Sequence, residues 1–347
     1  MTEVAGLHEA ETSSAVPSTG REARERVANV YNSTVAAFAI SSAWDVGALD
    51  ALRERGVVDS AEFAADRGLD RRATQAMFAA LAGVGVVTRA GTEIRPGPDF
   101  AEFYGSKAFY HWLTIGSVSL FADMANVLET KNRSGEFYQR DAPAIGRACR
   151  DINQLAFEPV FWEALDELDF DPKAVGDLGA GSGERLLQLL NRFPVSSGVG
   201  LDIAGSVLVD AERHLRDAGV GDRAELIVAD ATALEPDPRF AEVELLTCFM
   251  MGHDFWPREN CVASLSRLRE VFPNVRKFLL GDTARTHGIA DTRMPVFNLA
   301  FEVAHDLMGV YLPTLEEWEG VFAESGWKLD RARRVEVPSD SVIYELS

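Results

Sequence analysis

The sequence predicts an α/β protein: a doubly wound, largely parallel sheet preceded by a helical region that ends in a small β-wing. Two observations carry the prediction. From Lys173 onward, apolar runs of strand length alternate with stretches of helical periodicity. The first of those runs closes on a glycine-rich turn, Val175-Gly176-Asp177-Leu178-Gly179-Ala180-Gly181-Ser182-Gly183.

Taken in order, residues 1–20 form an acidic start rich in Ser, Thr and Gly and are expected to be a disordered tail. Arg21 to about Arg55 reads as one helix, apolar on more than one face. Asp59 or Ser60 can cap a helix through Ala65, and Asp70 another through Leu81. Val86–Arg89 and Glu93–Arg95 then read as a hairpin around Ala90-Gly91. Three helices and a wing make a winged-helix pattern, which serves either DNA binding or dimerisation. A formal net charge of -20 argues against nucleic acid, whose binding rests on Lys and Arg neutralising phosphates. A homodimer is therefore expected. Residues 103–170 read as helices carrying many aromatic side chains, and residues 21–165 are assigned to a dimerisation and substrate-lid domain.

Residues 166–347 form the expected cofactor-binding domain. Strands are predicted at 174–178, 198–203, 224–229, 243–249 and 277–281, with helices from Glu184, up to about Ala218 and over 259–271. Thr314-Leu315-Glu316-Glu317 reads as a capping box opening a helix to Ser325, and two closing strands are expected over Lys328–Val335 and Val342–Leu346. Three widely spaced cysteines suggest neither a disulfide framework nor a thiolate zinc site, which fits the cytoplasm. No apolar run reaches membrane-spanning length, so no membrane partner is expected.

The ligand class follows from what lies at the carboxyl ends of the strands, where doubly wound sheets bind. Asp202, followed by Ile203, ends the second strand 23 residues after Gly179 and can accept hydrogen bonds from two ribose hydroxyls. Asp230, followed by Ala231, ends the third strand and can meet an adenine amino group. Either aspartate alone is equally readable as a helix cap. The glycines are spaced GxGxG rather than GxGxxG, which disfavours NAD.

These residues resemble the class I S-adenosylmethionine-dependent methyltransferases, with a Rossmann-like sheet. Asp177, Gly179 and Gly181 match the first motif, Asp202 the ribose-binding acid, and Asp230-Ala231 the adenine-side motif. The resemblance adds Phe249, at the end of the fourth strand, to the cofactor contacts. The winged N-terminal region and the stretches Leu312–Trp318 and Glu324–Trp327 extend the likeness to small-molecule O-methyltransferases, whose histidine near position 253 takes a proton from a substrate hydroxyl. By that likeness His253 is a general base.

A second pattern points elsewhere. His253, Asp254 and His305 supply two imidazoles and a carboxylate, the ligand set of a mononuclear non-haem iron site. The adjacent His-Asp pair, with a histidine 52 positions further on, resembles the metal-dependent 2-oxo acid C3-methyltransferases of nonribosomal peptide pathways. That resemblance implies one bound metal ion, Fe first and Zn, Co or Ni also suited, and a metal-stabilised enolate methylated on carbon. The physics agrees, because protons beside an ordinary ketone are too weakly acidic for histidine alone. A core histidine remains the plain reading of His305. A 2-oxo acid also needs a cation for its carboxylate: Arg133 and Arg140 are the candidates, with a surface ion pair as the alternative for either. Trp112 and Met250 are candidates for the wall around the substrate side chain, as are Phe109, Phe157 and Phe297; core packing is the other reading of each.

Overall fold

A computed structural model of the chain describes residues 20–347. The tail expected over residues 1–20 lies outside the described residues except for Gly20, where the first helix begins. The chain divides into two compact units, one up to Phe100 and one from Ala101 to Ser347.

In the first unit the helix expected over Arg21–Arg55 is two helices, Gly20–Asp45 and Ala48–Arg55. Gly47 breaks it, with a φ of 73° that L side chains rarely adopt. The helices Ser60–Asp66 and Arg71–Gly83 start where the caps predict: Asp59 accepts from the Ala61 and Glu62 N–H groups, and Asp70 accepts from Ala73 N–H. Strands β1 (Val58–Asp59), β2 (Val87–Ala90) and β3 (Glu93–Pro96) form the wing, in the order β1-β3-β2.

The second unit starts well before 166. Aromatic side chains explain why the helices after Ala101 belong with the sheet: Phe157 and Phe161 set their rings edge-on against Phe249, at the end of a central strand. The strands are β4 (Ala174–Leu178), β5 (Ser197–Asp202), β6 (Ala224–Val228), β7 (Val243–Phe249), β8 (Lys277–Thr283), β9 (Leu329–Val335) and β10 (Ser341–Leu346). They make one sheet in the order β6-β5-β4-β7-β8-β10-β9. The first five are parallel, and β10 runs antiparallel between β8 and β9. β4 and β10 are buried along their whole length, as strands covered on both faces must be.

Core packing on the β7–β8–β10 side rests on Trp318, Phe322, Trp327 and Tyr344, all nearly without solvent contact. The helix Leu315–Phe322 delivers the first two and opens on the predicted capping box. Thr314 Oγ1 accepts from Glu317 N–H at 3.2 Å, and Glu317 Oε2 accepts from Thr314 N–H at 2.8 Å. Thr314→Ala is expected to cost about 1 kcal/mol, read as a lower urea midpoint at unchanged slope. An unchanged midpoint would show that the box contributes nothing. Among the described residues no single helix is long and apolar enough to cross a membrane.

Candidate active site

The glycine turn requires its glycines. Gly179, Gly181 and Gly183 have φ of 69°, 51° and 78°, and a Cβ on Gly179 would also stand 2.7 Å from Met251 Sδ. The turn is tied to the next strand, because Asp202 Oδ2 accepts from Gly181 N–H at 2.9 Å and Oδ1 from Ala204 N–H at 2.8 Å. Asp230 caps the short turn Ala231–Ala233 through Oδ1 alone, which accepts from Thr232 N–H and its hydroxyl; Oδ2 meets no donor among the described residues. The capping alternative is thus present at Asp230 and leaves one oxygen for a ligand. Ile203 is exposed beside Asp202, and Ala231 is buried.

On β4, Asp177 is buried and accepts a 2.7 Å hydrogen bond from the Thr247 hydroxyl. Burial pushes its carboxyl up to about 6, against the pull of that bond and of the Arg185 charge. Read across the sheet, Asp230, Asp202, the glycine turn and Phe249 stand at the carboxyl ends of β6, β5, β4 and β7 in that spatial order. That row can receive an extended ligand with a nucleoside at one end.

The second cluster lies further along the same edge. His253 sits in the turn Gly252–Phe255 after β7 and is buried. Its backbone N–H donates to Asp282 Oδ2 at 2.7 Å, and its ring Nδ1 lies 2.9 Å from Asp282 Oδ1. Asp282, on β8, is fully buried. Burial alone would lower the His253 pKa; the charge and hydrogen bond of Asp282, with the charge of Asp254, raise it above the ordinary imidazole value. His253 and Asp282 thus form a buried imidazole–carboxylate pair, with an acid that sequence reasoning missed. The available signal was an aspartate at the end of a buried strand, one position beyond the apolar run.

His305 lies on the helix Asn298–Met308, with its ring centre 4.9 Å from that of His253 and the planes nearly perpendicular. Its Nδ1 donates to the Phe301 carbonyl at 2.7 Å, which leaves Nε2 with a lone pair. Burial, then the His253 charge, pull its pKa down to about 2, so it stays neutral.

Asp254 does not complete the expected metal set. It is exposed, and among the described residues no three His, Cys, Asp or Glu side chains group closely enough to hold a metal ion. Two imidazole donors meet, and the third ligand does not join them.

The two arginines separate cleanly. Arg133 is committed to the C-terminus of the His305 helix, where it donates to the Leu307 and Asp306 carbonyls at 2.9 and 3.2 Å and to Val127 at 3.2 Å. Arg140 has no carboxylate within 4 Å among the described residues. Its Nη1 lies 3.2 Å from Met308 Sδ and its guanidinium 5.4 Å from the Trp112 ring. Desolvation lowers its pKa, and its charge acts on both His253 and His305. Trp112 packs on Phe297 and Phe301, and Phe109 on Phe297, so an aromatic wall adjoins the imidazoles. Met250 and Phe297 hold positive φ of 54° and 77°, strain that the surrounding packing sustains.

Fold and site together define a methyltransferase that uses S-adenosylmethionine. The comparisons agree: a methyltransferase-domain family profile matches residues 175–273. The protein named Methyltransferase ungE' of Aspergillus campestris (strain IBT 28561) is 46% identical over 328 residues, covering 92% of this chain and 96% of that protein. The chain belongs to the S-adenosylmethionine-dependent methyltransferases. Among solved structures it is similar to LaPhzM, with a TM-score of 0.66, 21% identity and coverage of 93% and 98% of the two chains. It is also similar to the mitomycin 7-O-methyltransferase MmcR, at 0.61, 19%, 94% and 98%. At that identity the likeness is one of fold.

Proposed function

We propose that this methyltransferase alkylates a small 2-oxo acid at C3, the acid reacting in its enol form. The observation that carries the reading is the half-buried guanidinium of Arg140, without an anionic partner among the described residues, beside two imidazoles that each have Nδ1 tied elsewhere. A cation so placed suits a substrate carboxylate. His253, with Nδ1 on Asp282, offers Nε2 as the base.

The enol hydroxyl is far more acidic than a ketone C–H, so an imidazole can take its proton. As that proton passes to His253 Nε2, C3 attacks the methyl carbon and the methyl–sulfur bond breaks with its electron pair left on sulfur. The products are a 3-methyl-2-oxo acid and S-adenosylhomocysteine. Neutral His305 adds a second acceptor at Nε2 without placing another positive charge beside His253. Holding C3 in line with the methyl supplies much of the acceleration. Because no three His, Cys, Asp or Glu side chains group closely enough among the described residues, no step here runs through a metal.

A second reading, O-methylation of a substrate hydroxyl, is favoured by the His253–Asp282 dyad itself, which would serve any hydroxyl in reach. Release of S-adenosylhomocysteine with a panel of aromatic and branched aliphatic 2-oxo acids, set against hydroxy-aromatic acids, tests the substrate class. Turnover confined to the 2-oxo acids is expected, and turnover confined to the hydroxy-aromatics overturns it. Loss of activity in o-phenanthroline, restored by added iron or zinc, would put a cation on the two imidazoles with substrate oxygens completing its shell.

A further inference from the structure

We propose that Arg185 receives the carboxylate at the amino-acid end of S-adenosylmethionine. The order of the strands locates that end. Asp230 and Asp202, the residues matched to the nucleoside, stand after β6 and on β5, at one side of the row. The proton-abstracting cluster, His253 with Asp282 of β8, stands at the other. The chain of atoms that joins the ribose to the sulfonium and the amino acid must therefore pass the carboxyl ends of β4 and β7, where the glycine turn meets Phe249.

Arg185 stands at that point. It is the second residue of the helix Glu184–Arg192 that the glycine turn opens. Its guanidinium carbon lies 4.2 Å from the ring centre of Phe249 and 4.0 Å from that of Phe161. The side chain is only 9% exposed, yet Nη1 alone meets an acceptor, Gln188 Oε1 at 2.8 Å. Among the described residues Nε and Nη2 meet none, and no carboxylate lies within 4 Å. Asp177, Glu158 and Glu184 act on it only from beyond ion-pair range.

A buried cation in the first turn of a helix is doubly disfavoured, by desolvation and by the positive end of the helix dipole. Burial accordingly pulls its pKa down to about 10. What offsets this on ligand binding is an anion with two oxygens for the open Nε and Nη2 edge, and the carboxylate is the anionic group of the cofactor. Contact with the mutually perpendicular rings of Phe161 and Phe249 holds the guanidinium in place in advance.

Calorimetric titration of the whole protein with two ligands tests this. S-adenosylhomocysteine carries the carboxylate; 5′-methylthioadenosine has the same nucleoside thioether and no amino-acid end. Arg185→Gln is expected to weaken the first by roughly 10- to 100-fold and leave the second unchanged, with Arg185→Lys recovering part of the loss. Equal weakening of both ligands would reduce Arg185 to a packing residue, and unchanged S-adenosylhomocysteine binding would remove it from the site. Where the glutamine variant fails to fold, the ratio of the two affinities in Arg185→Lys decides: a ratio equal to that of the parent overturns the assignment.

Discussion

Asp282→Asn is expected to lower kcat roughly 10²- to 10⁴-fold, the range set by a positioned general base. The carboxylate accepts from both the backbone and the ring of His253, which fixes the tautomer with hydrogen on Nδ1 and the lone pair on Nε2. An asparagine that keeps the backbone bond turns its amide N–H toward the ring, reversing the tautomer and leaving no lone pair at Nε2. The pH profile provides a second readout. Because the His253 pKa stands above the ordinary imidazole value, kcat/KM of the parent should fall as pH drops through a limb above 6.5. Without the Asp282 charge that limb should move to lower pH. A variant with the parent's kcat and the parent's limb would show that Asp282 only fills space.

Arg140→Ala is expected to raise KM for the 2-oxo acid roughly 10- to 100-fold, the equivalent of one or two charge-assisted hydrogen bonds, with KM for S-adenosylmethionine unchanged. Arg140→Lys should recover part of the loss, since a point charge cannot reproduce the bidentate fork. An ester of the same acid adds a control, because the parent should discriminate against it and the alanine variant should not. Equal KM increases for acid and ester would mean that the arginine shapes the aromatic wall through Trp112 and does not read the carboxylate.

The parallel strands of the large sheet were legible because they are short apolar runs, and each begins within a residue of its expected place. The break at Gly47 was not, since Phe38 and Trp44 continue a helical pattern straight up to it and only the left-handed glycine interrupts the backbone. Among the site residues, the glycine turn, Asp202, His253 and His305 carry chemistry that stands out from their neighbours. Asp282 does not: Gly281-Asp282-Thr283 reads as turn residues ending a strand, and its partner lies 29 positions away, a distance at which spacing says nothing about contact. Arg185 reads as an ordinary solvated charge in the first turn of a helix, and only the burial of that turn against Phe161 and Phe249 gives it meaning. The choice between Arg133 and Arg140 likewise depended on where the His305 helix ends, because that end consumes the hydrogen bonds of Arg133.

The most direct measurement is the carbon NMR spectrum of the product formed from S-adenosylmethionine with a 13C-labelled methyl group and an aromatic or branched 2-oxo acid. A labelled methyl bonded to C3 is the predicted result. A labelled methoxy group would contradict it and leave His253 as the base of an O-methyltransferase.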